Sequence, residues 1–168
     1  MKKGFSLIEL LIVIAIISLF GFLVFDFLKK AEVRQDPYTI KNLQKILQRH
    51  GNIELICTDK CAQCFTHTPG SDALQETSSD LKEIQAYTVD KNDNPQKIEF
   101  GRLKDHRICL RYRHYANGST TQIILESEEK FFYFPSYFGK VSVHDSAEDA
   151  AEVWIKDTKI LKNRGNYY

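Results

Sequence analysis

The chain has 168 residues, which is enough for one globular domain and an anchor but short for two domains. Its 23 Lys and Arg residues balance 22 Asp and Glu residues, and this excludes a strongly polycationic or polyanionic protein. Apolar residues are concentrated in the first 28 positions, and the rest has the composition of a soluble domain.

The first predicted element is an apolar stretch from Phe5 to Phe25 that follows the short basic start Met1–Gly4. As a helix, its 21 residues would be about 32 Å long, close to the thickness of a bilayer's hydrocarbon core. A secretory signal peptide usually has an apolar core of about 7–15 residues and a small-residue cleavage site, which is not found after Phe25. The sequence therefore predicts a membrane-spanning helix over residues 5–28.

Glu9 lies inside this apolar stretch. An ionised side chain near the bilayer centre costs about 2.5–3.5 kcal/mol, and such residues normally have a partner. One interpretation is that Glu9 only snorkels to the membrane face. We favour the other, in which the carboxylate has a function.

The segment KKGFSLIELLIVIAII, residues 2–17, resembles the N-terminus of type IV prepilins and type II secretion pseudopilins. The resemblance implies that a prepilin peptidase removes the leader peptide 1–4 by cutting between Gly4 and Phe5, and that Phe5 becomes N-methylated. It implies also that Glu9 neutralises the new amine of Phe5, in the same subunit or the next one in a filament. A buried pair of this kind sets registry more than it adds stability.

The same resemblance implies a location and partners. The chain would be a single-pass inner-membrane protein with residues 29–168 in the periplasm, and would then enter a type IV pilus, type II secretion or DNA-uptake (competence) filament. Its partners would be the prepilin peptidase, other pilins or pseudopilins and an inner-membrane assembly platform. Major pilins commonly carry a proline near the end of the apolar stretch, and its absence from residues 20–30 favours a minor pilin or pseudopilin.

After the anchor, the sequence predicts that the helix continues over residues 29–50. Asp36 and Pro37 suit a kink followed by a new helix start. Four residues then share one face, and Gly51 suits the helix end; the four are Ile40, Leu43, Ile46 and Leu47.

Residues 52–143 are predicted to be β-rich and antiparallel, because short turn sequences separate β-type segments. The predicted strands are 52–57, 83–89, 96–103, 107–115, 121–127 and 130–135. A helix over 145–156 follows, capped by Asp145 or Ser146, with Trp154 as a core residue and 163–168 as a loop. The predicted fold class is α+β, with a long N-terminal helix packed on an antiparallel sheet, in agreement with a pilin-like fold.

Four cysteines, Cys57, Cys61, Cys64 and Cys109, suggest disulfides in a domain outside the cytoplasm. Three pairings are possible, and we favour one bond within 57–64 and one long bond to Cys109. A four-cysteine zinc site and a thiol-redox role for Cys61 and Cys64 are the alternatives.

Cations are concentrated in one predicted strand and just before it, at Arg102, Lys104, Arg107, Arg111 and Arg113. Strand alternation places Arg107, Arg111 and Arg113 on one face, where they could follow a nucleic-acid backbone. We favour a solvated face paired with acids across the sheet, such as Glu126, Glu128 or Glu129.

The sequence has no glycine-rich phosphate loop, no nucleophile elbow and no metal-ligand spacing among its histidines. It therefore predicts neither an enzyme nor a cofactor or metal site. Three hypotheses remain: a structural filament subunit, a subunit that also binds DNA through the basic strand, and a membrane-tethered domain stabilised by disulfides or metal.

Overall fold

The structure is a computed structural model that describes residues 7–30, 37–137 and 139–164, with side chains at 7–18, 20, 37–137 and 139–160. The chain divides into two compact units, Met1–Asp36 and Pro37–Tyr168. In the first unit, α1 extends over Leu7–Lys30. The described part of the chain is α+β.

The second unit begins with an extended residue and a turn, not with the helix predicted from Pro37. Tyr38 forms a parallel bridge with Ser79, and its backbone N–H donates to the Ser78 carbonyl at 3.0 Å. Thr39 N–H donates to the Asn42 side chain at 2.7 Å, which closes the turn. Helix α2 therefore spans only Leu43–His50, since this backbone pairing holds the preceding residues outside a helix.

The long predicted helix over residues 29–50 is thus wrong between Pro37 and Asn42. The part of the predicted helix over residues 31–36, which includes the proposed cap at Asp36, lies outside the described residues. Gly51 follows α2 with φ of 76° and ψ of −132°, a conformation that glycine adopts more readily than other residues, so the predicted end of the helix is confirmed.

Two antiparallel sheets of five strands each form the centre of the second unit, where the sequence predicted a single sheet. The first has the order β3-β2-β1-β7-β6, with β1 (Ile53–Thr58), β2 (Gln63–His67), β3 (Leu74–Thr77), β6 (Arg102–Leu103) and β7 (His106–His114). The second has the order β10-β9-β8-β4-β5, with β4 (Gln85–Val89), β5 (Pro95–Lys97), β8 (Ile123–Ser127), β9 (Lys130–Phe134) and β10 (Ser142–His144).

The predicted strand 96–103 divides into β5 and β6, which belong to different sheets; Gly101 between them has a φ of 83°. The turn after β7 likewise carries the chain from one sheet to the other, and β7 meets the returning chain in the isolated bridge His114–Thr120 and in the hydrogen bond that Thr121 N–H donates to the Arg113 carbonyl at 2.9 Å. Strands β2, β3 and β10 were not predicted.

The main core lies between the two sheets. Tyr112 of β7 and Phe134 of β9 meet edge to face, with ring centroids 5.4 Å apart. Leu43 and Leu47 of α2 are fully buried in the same cluster, and each contributes about 1.5–3 kcal/mol of hydrophobic burial. The part of the predicted helix that forms α2 is therefore a core element.

Helix α3, Ala147–Arg164, covers the other face of the second sheet. Ala150 and Ala151 pack there against Ile124 and Tyr133. The helix is longer than the predicted 145–156, and it includes the first two residues of the predicted C-terminal loop. Its cap is Ser146, whose Oγ accepts a hydrogen bond from Asp149 N–H at 3.1 Å. Trp154 is half-buried at the edge of this cluster, 6.0 Å from the Tyr133 ring.

Candidate functional site

The N-terminal helix exposes an apolar surface. Every described side chain between Leu7 and Phe20 is exposed, and the exposed fraction reaches 76% at Leu7. Glu9 stands in the first turn of α1 and is the only charged residue between Leu7 and Phe25. Exposed apolar surface of this extent is typical of a segment that packs against lipid or other helices.

Gly4 and Phe5, the residues of the predicted cleavage and methylation, lie outside the described residues. In the described parts of the chain, no helix combines the length and hydropathy of a membrane span. The predicted single-pass anchor therefore stays a prediction.

The four cysteines form two disulfides, which we call the cysteine clasp. Cys57 and Cys64 face each other across the β1–β2 hairpin, with Cα atoms 4.0 Å apart. Cys61, in the turn of that hairpin, is bonded to Cys109 on β7, with Cα atoms 5.7 Å apart. The clasp thus has one short and one long bond, and it joins three neighbouring strands.

The turn inside the clasp has an unusual backbone. Asp59, Lys60 and Cys61 have φ values of 53°, 56° and 66°, the left-handed region that favours glycine or asparagine. Ala62 N–H closes the turn on the Asp59 carbonyl at 3.1 Å, and Glu83 N–H donates to the Lys60 carbonyl at 3.1 Å. The Cys61–Cys109 disulfide and the hydrogen bond from Glu83 both hold the turn in a backbone conformation that Asp59, Lys60 and Cys61 disfavour.

All four sulfurs are bonded to one another, so none is a thiolate that could bind zinc or act in thiol exchange. A zinc site at these cysteines would require both bonds to be reduced. Within the described residues, no other group of His, Cys, Asp and Glu side chains is arranged to hold a metal ion.

The basic strand is largely neutralised by carboxylates. Arg107 contacts Glu99 at 2.9 Å, and both side chains are well exposed. Arg111 forms two hydrogen bonds to Glu54, from Nε at 2.7 Å and from an Nη nitrogen at 3.2 Å. The partners are therefore Glu54 and Glu99, and not the predicted acids of β8 and the β8–β9 turn, because these belong to the second sheet.

Glu54 is the centre of this arrangement and was not singled out from the sequence. It is only 6% exposed, on the central strand β1, between Arg111 of β7 and His67 of β2. The pKa of the Arg111 guanidinium is raised, mainly because it donates these hydrogen bonds to Glu54. The alternation of side chains in NIELIC, residues 52–57, could have indicated this position, since it places Glu54 on the opposite face of the strand from Leu55.

Arg113 differs from the other two arginines. Its guanidinium lies 4.8 Å from the centroid of the Tyr115 ring. Its Nε is buried without a hydrogen-bond partner, and it forms no ion pair with any described residue. Of the three arginines proposed to contact nucleic acid, the structure therefore leaves one whose charge no described carboxylate neutralises.

Residues 1–25 match the family model of the prokaryotic N-terminal methylation motif. This motif is the prepilin-type cleavage and methylation signal of type IV pilins and pseudopilins, so the predicted resemblance is confirmed for this segment. The motif marks a class of structural subunits that are not enzymes and supports a type IV pilin-like filament subunit. It also implies processing by prepilin peptidase, assembly with other pilins and an inner-membrane anchor. No curated protein and no solved structure matches the chain.

Proposed function

We propose that this protein is a minor pilin or pseudopilin, a structural subunit of a type IV pilus, type II secretion or DNA-uptake filament. The observation that carries the proposal is the methylation motif, in which Glu9 is the only charge between Leu7 and Phe25 of an exposed apolar helix. In this proposal residues 1–4 are the leader, 5–28 span the inner membrane, and 29–168 form the domain in the periplasm.

Glu9 supplies the assembly charge. Cleavage after Gly4 creates a positive amine on Phe5, four residues before Glu9, or about 6 Å along a helix. In hydrocarbon, each charge alone is costly, and the two together offset much of that cost. Pairing with the amine of the next subunit would therefore favour transfer from the bilayer into a filament and fix its register.

The cysteine clasp supports a domain outside the cytoplasm. Disulfides persist in the periplasm and are rare in the reducing cytoplasm. Each bond of the clasp includes at least one buried cysteine: Cys57 in the short bond and Cys61 in the long bond are at most 1% exposed. A membrane-tethered domain stabilised by the same bonds, without filament assembly, is the alternative that processing tests.

A second candidate function is DNA contact through the basic strand, and it is favoured by Arg113, which lies beside Tyr115 and whose charge no described carboxylate neutralises. Arg113→Gln would then weaken DNA retention by filaments and reduce its salt dependence, because one phosphate contact is lost. Arg107→Gln is the matched control, since its charge is balanced by Glu99. Intact filaments of the Arg113 variant that retain DNA normally would contradict DNA contact at this residue.

The deciding experiment measures the mass of the intact protein and of its N-terminal peptide after expression with a prepilin peptidase. A mature start at Phe5 with one added methyl group is expected, and Gly4→Ala should keep the start at Met1. An uncleaved wild-type chain in the same host would contradict the proposal and favour the tethered domain.

A further inference from the structure

Helix α2 and the turn before it present a cationic row to solvent. Lys41, Lys45 and Arg49 are exposed, and none forms an ion pair with a described residue. Lys45 and Arg49 are one helical turn apart, about 6 Å along the axis. Residues 37–50 contain no Asp or Glu at all, although the chain as a whole is balanced in charge.

The opposite side of α2 is fixed in the core, because Leu43 and Leu47 are fully buried. The cationic row therefore has a fixed direction and cannot turn inward to find a carboxylate. Elsewhere in the unit, some cations, such as Arg111 and Lys130, contact a carboxylate of the same chain, whereas Arg113 forms no ion pair with a described residue. The α2 row is a face for which the described part of the chain supplies no partner.

The length of chain before α2 limits what can cover this face. Six residues, 31–36, separate the end of α1 at Lys30 from Pro37, and that chain spans at most about 25 Å when fully extended. If α1 is held in a membrane, a chain of this length allows the row to reach the headgroup layer. A nucleic acid or a second copy would have to arrive by diffusion.

We propose that Lys41, Lys45 and Arg49 bind anionic phospholipid headgroups of the membrane that holds the anchor. The inference rests on the proposed function, since it needs the helix to be inserted. Cationic side chains next to a membrane segment are attracted to anionic lipid within a Debye length of the surface. The contact holds the domain against the membrane before the subunit leaves for a filament.

The test uses the full-length processed protein, reconstituted in vesicles of phosphatidylcholine alone or with about one third phosphatidylglycerol. A membrane-impermeant acetylating reagent modifies exposed lysines, and mass spectrometry reports the rate at each one. Lys91, in the turn between β4 and β5, and Lys159, on α3, are exposed and serve as internal references. We expect Lys41 and Lys45 to react about threefold more slowly in anionic vesicles, with Lys91 and Lys159 unchanged.

Adding salt, or removing the charges of the row by substitution, should abolish the protection of the lysines. Sodium chloride at about 0.5 M shortens the Debye length to roughly 4 Å and should restore the rate at Lys41. The double variant Lys45→Gln/Arg49→Gln should lose most of the protection at Lys41. The matched variant Lys91→Gln/Lys159→Gln removes the same amount of charge outside the row and should keep the protection at Lys41.

Equal rates in both vesicles would overturn the inference. Protection in neutral vesicles that grows with the protein-to-lipid ratio would overturn it in favour of a second copy, and protection only after DNA is added in favour of nucleic acid. The intact mass of the same sample separates this failure from failure of the proposed function. A chain that starts at Phe5 and is inserted, but has unprotected lysines, contradicts the lipid contact alone.

Discussion

Glu54 and Arg111 show how one carboxylate can organise a sheet face at the scale of single residues. The Glu54 side chain is 8% exposed, whereas that of Arg111 is 52% exposed, so the two partners differ in their dependence on the pair. Solvent can hydrate the arginine if the glutamate is lost. Among the described residues, the buried carboxylate has as partners only the Arg111 guanidinium and, at 3.7 Å, the His67 ring.

We predict that Arg111→Gln lowers the free energy of unfolding by about 2–3 kcal/mol, because a carboxylate stays buried without its charged partner. Arg107→Gln is the matched control and should cost less than about 0.5 kcal/mol, since Arg107 and Glu99 are 74% and 81% exposed. Urea unfolding of the full-length protein in detergent, followed by fluorescence of the single Trp154, measures both. Equal losses in the two variants would contradict the role given to Glu54.

Tyr112 gives a pH dependence. Burial between the sheets raises the pKa of Tyr112 to about 12, above its usual value near 10. The folded state thus binds this proton more tightly than the unfolded state, and the resulting stability is present below pH 10 and is lost as pH rises toward 12. Wild-type protein should lose up to about 2 kcal/mol from this group across that range.

Tyr112→Phe cannot ionise and should show a smaller alkaline loss than wild type, although the variants need not be equal in stability at pH 8. Tyr137→Phe changes an exposed tyrosine and is the control. Unfolding free energies measured at intervals between pH 8 and 11 compare the slopes. Identical slopes for Tyr112→Phe and wild type would contradict a raised pKa at Tyr112.

The cysteine clasp acts at the scale of elements, because it ties the β1–β2 hairpin to β7. Its bonds have sequence separations of 7 and 48 residues. In the chain-entropy description, the longer bond restricts the unfolded chain more, by about 4 kcal/mol against about 2.4 kcal/mol. The longer bond also holds the left-handed turn at Lys60 and Cys61.

We therefore predict that Cys61→Ala/Cys109→Ala destabilises the protein more than Cys57→Ala/Cys64→Ala, by about 1–2 kcal/mol. The second pair is the matched control, since it also removes two largely buried sulfurs. Urea unfolding under non-reducing conditions gives the difference. A larger loss from the shorter bond would mean that native packing at Cys57 and Cys64 outweighs chain entropy.

The differences between the predicted and observed turns and strands show which features local sequence patterns do not predict. Strand β7 was predicted within a residue at each end because Ile108, Leu110 and Tyr112 alternate with polar residues. Strand β2 was missed because QCFTH has little alternation, and its pairing with β1 depends on a turn that Lys60 and Cys61 do not favour. Tertiary bonds hold that turn, and they have no signature in a local window of sequence.

The start of α2 was misplaced for a similar reason. The apolar spacing from Ile40 to Leu47 fits a helix, yet Tyr38 pairs with a backbone segment some forty residues later in the chain. In the candidate site, the motif around Glu9 and the four cysteines were visible from residue type and spacing. The Glu54–Arg111 contact was not, since it needs the β1–β7 register.

At the scale of the whole molecule, the two units have opposite surfaces. The described side chains of α1 are exposed and almost all apolar, whereas the second unit buries its apolar side chains in two clusters. A filament subunit needs this division, because the helix must leave lipid for contact with other helices while the domain stays in water. In the proposed function, Glu9, the only charged residue between Leu7 and Phe25, distinguishes these two surroundings.

We predict that Glu9→Leu separates insertion from assembly. Removing the charge lowers the cost of insertion by about 2.5–3.5 kcal/mol, so the variant should stay in the membrane fraction. It should be reduced at least tenfold in sheared filaments from a host with the assembly machinery, because the neighbouring amine loses its counter-charge. Immunoblots of the two fractions measure both amounts, and the mass of the N-terminal peptide reports processing.

Leu10→Ile is the matched control for that variant, since it changes the adjacent exposed residue and keeps the helix apolar. Glu9→Asp keeps the charge on a shorter side chain and should restore part of the assembly. This graded order would tie assembly to the charge and its reach, because a merely apolar requirement would make Glu9→Leu the best of the three. Filaments that contain Glu9→Leu at the wild-type level would show that the carboxylate has no part in assembly, and Glu9 would then need a partner elsewhere.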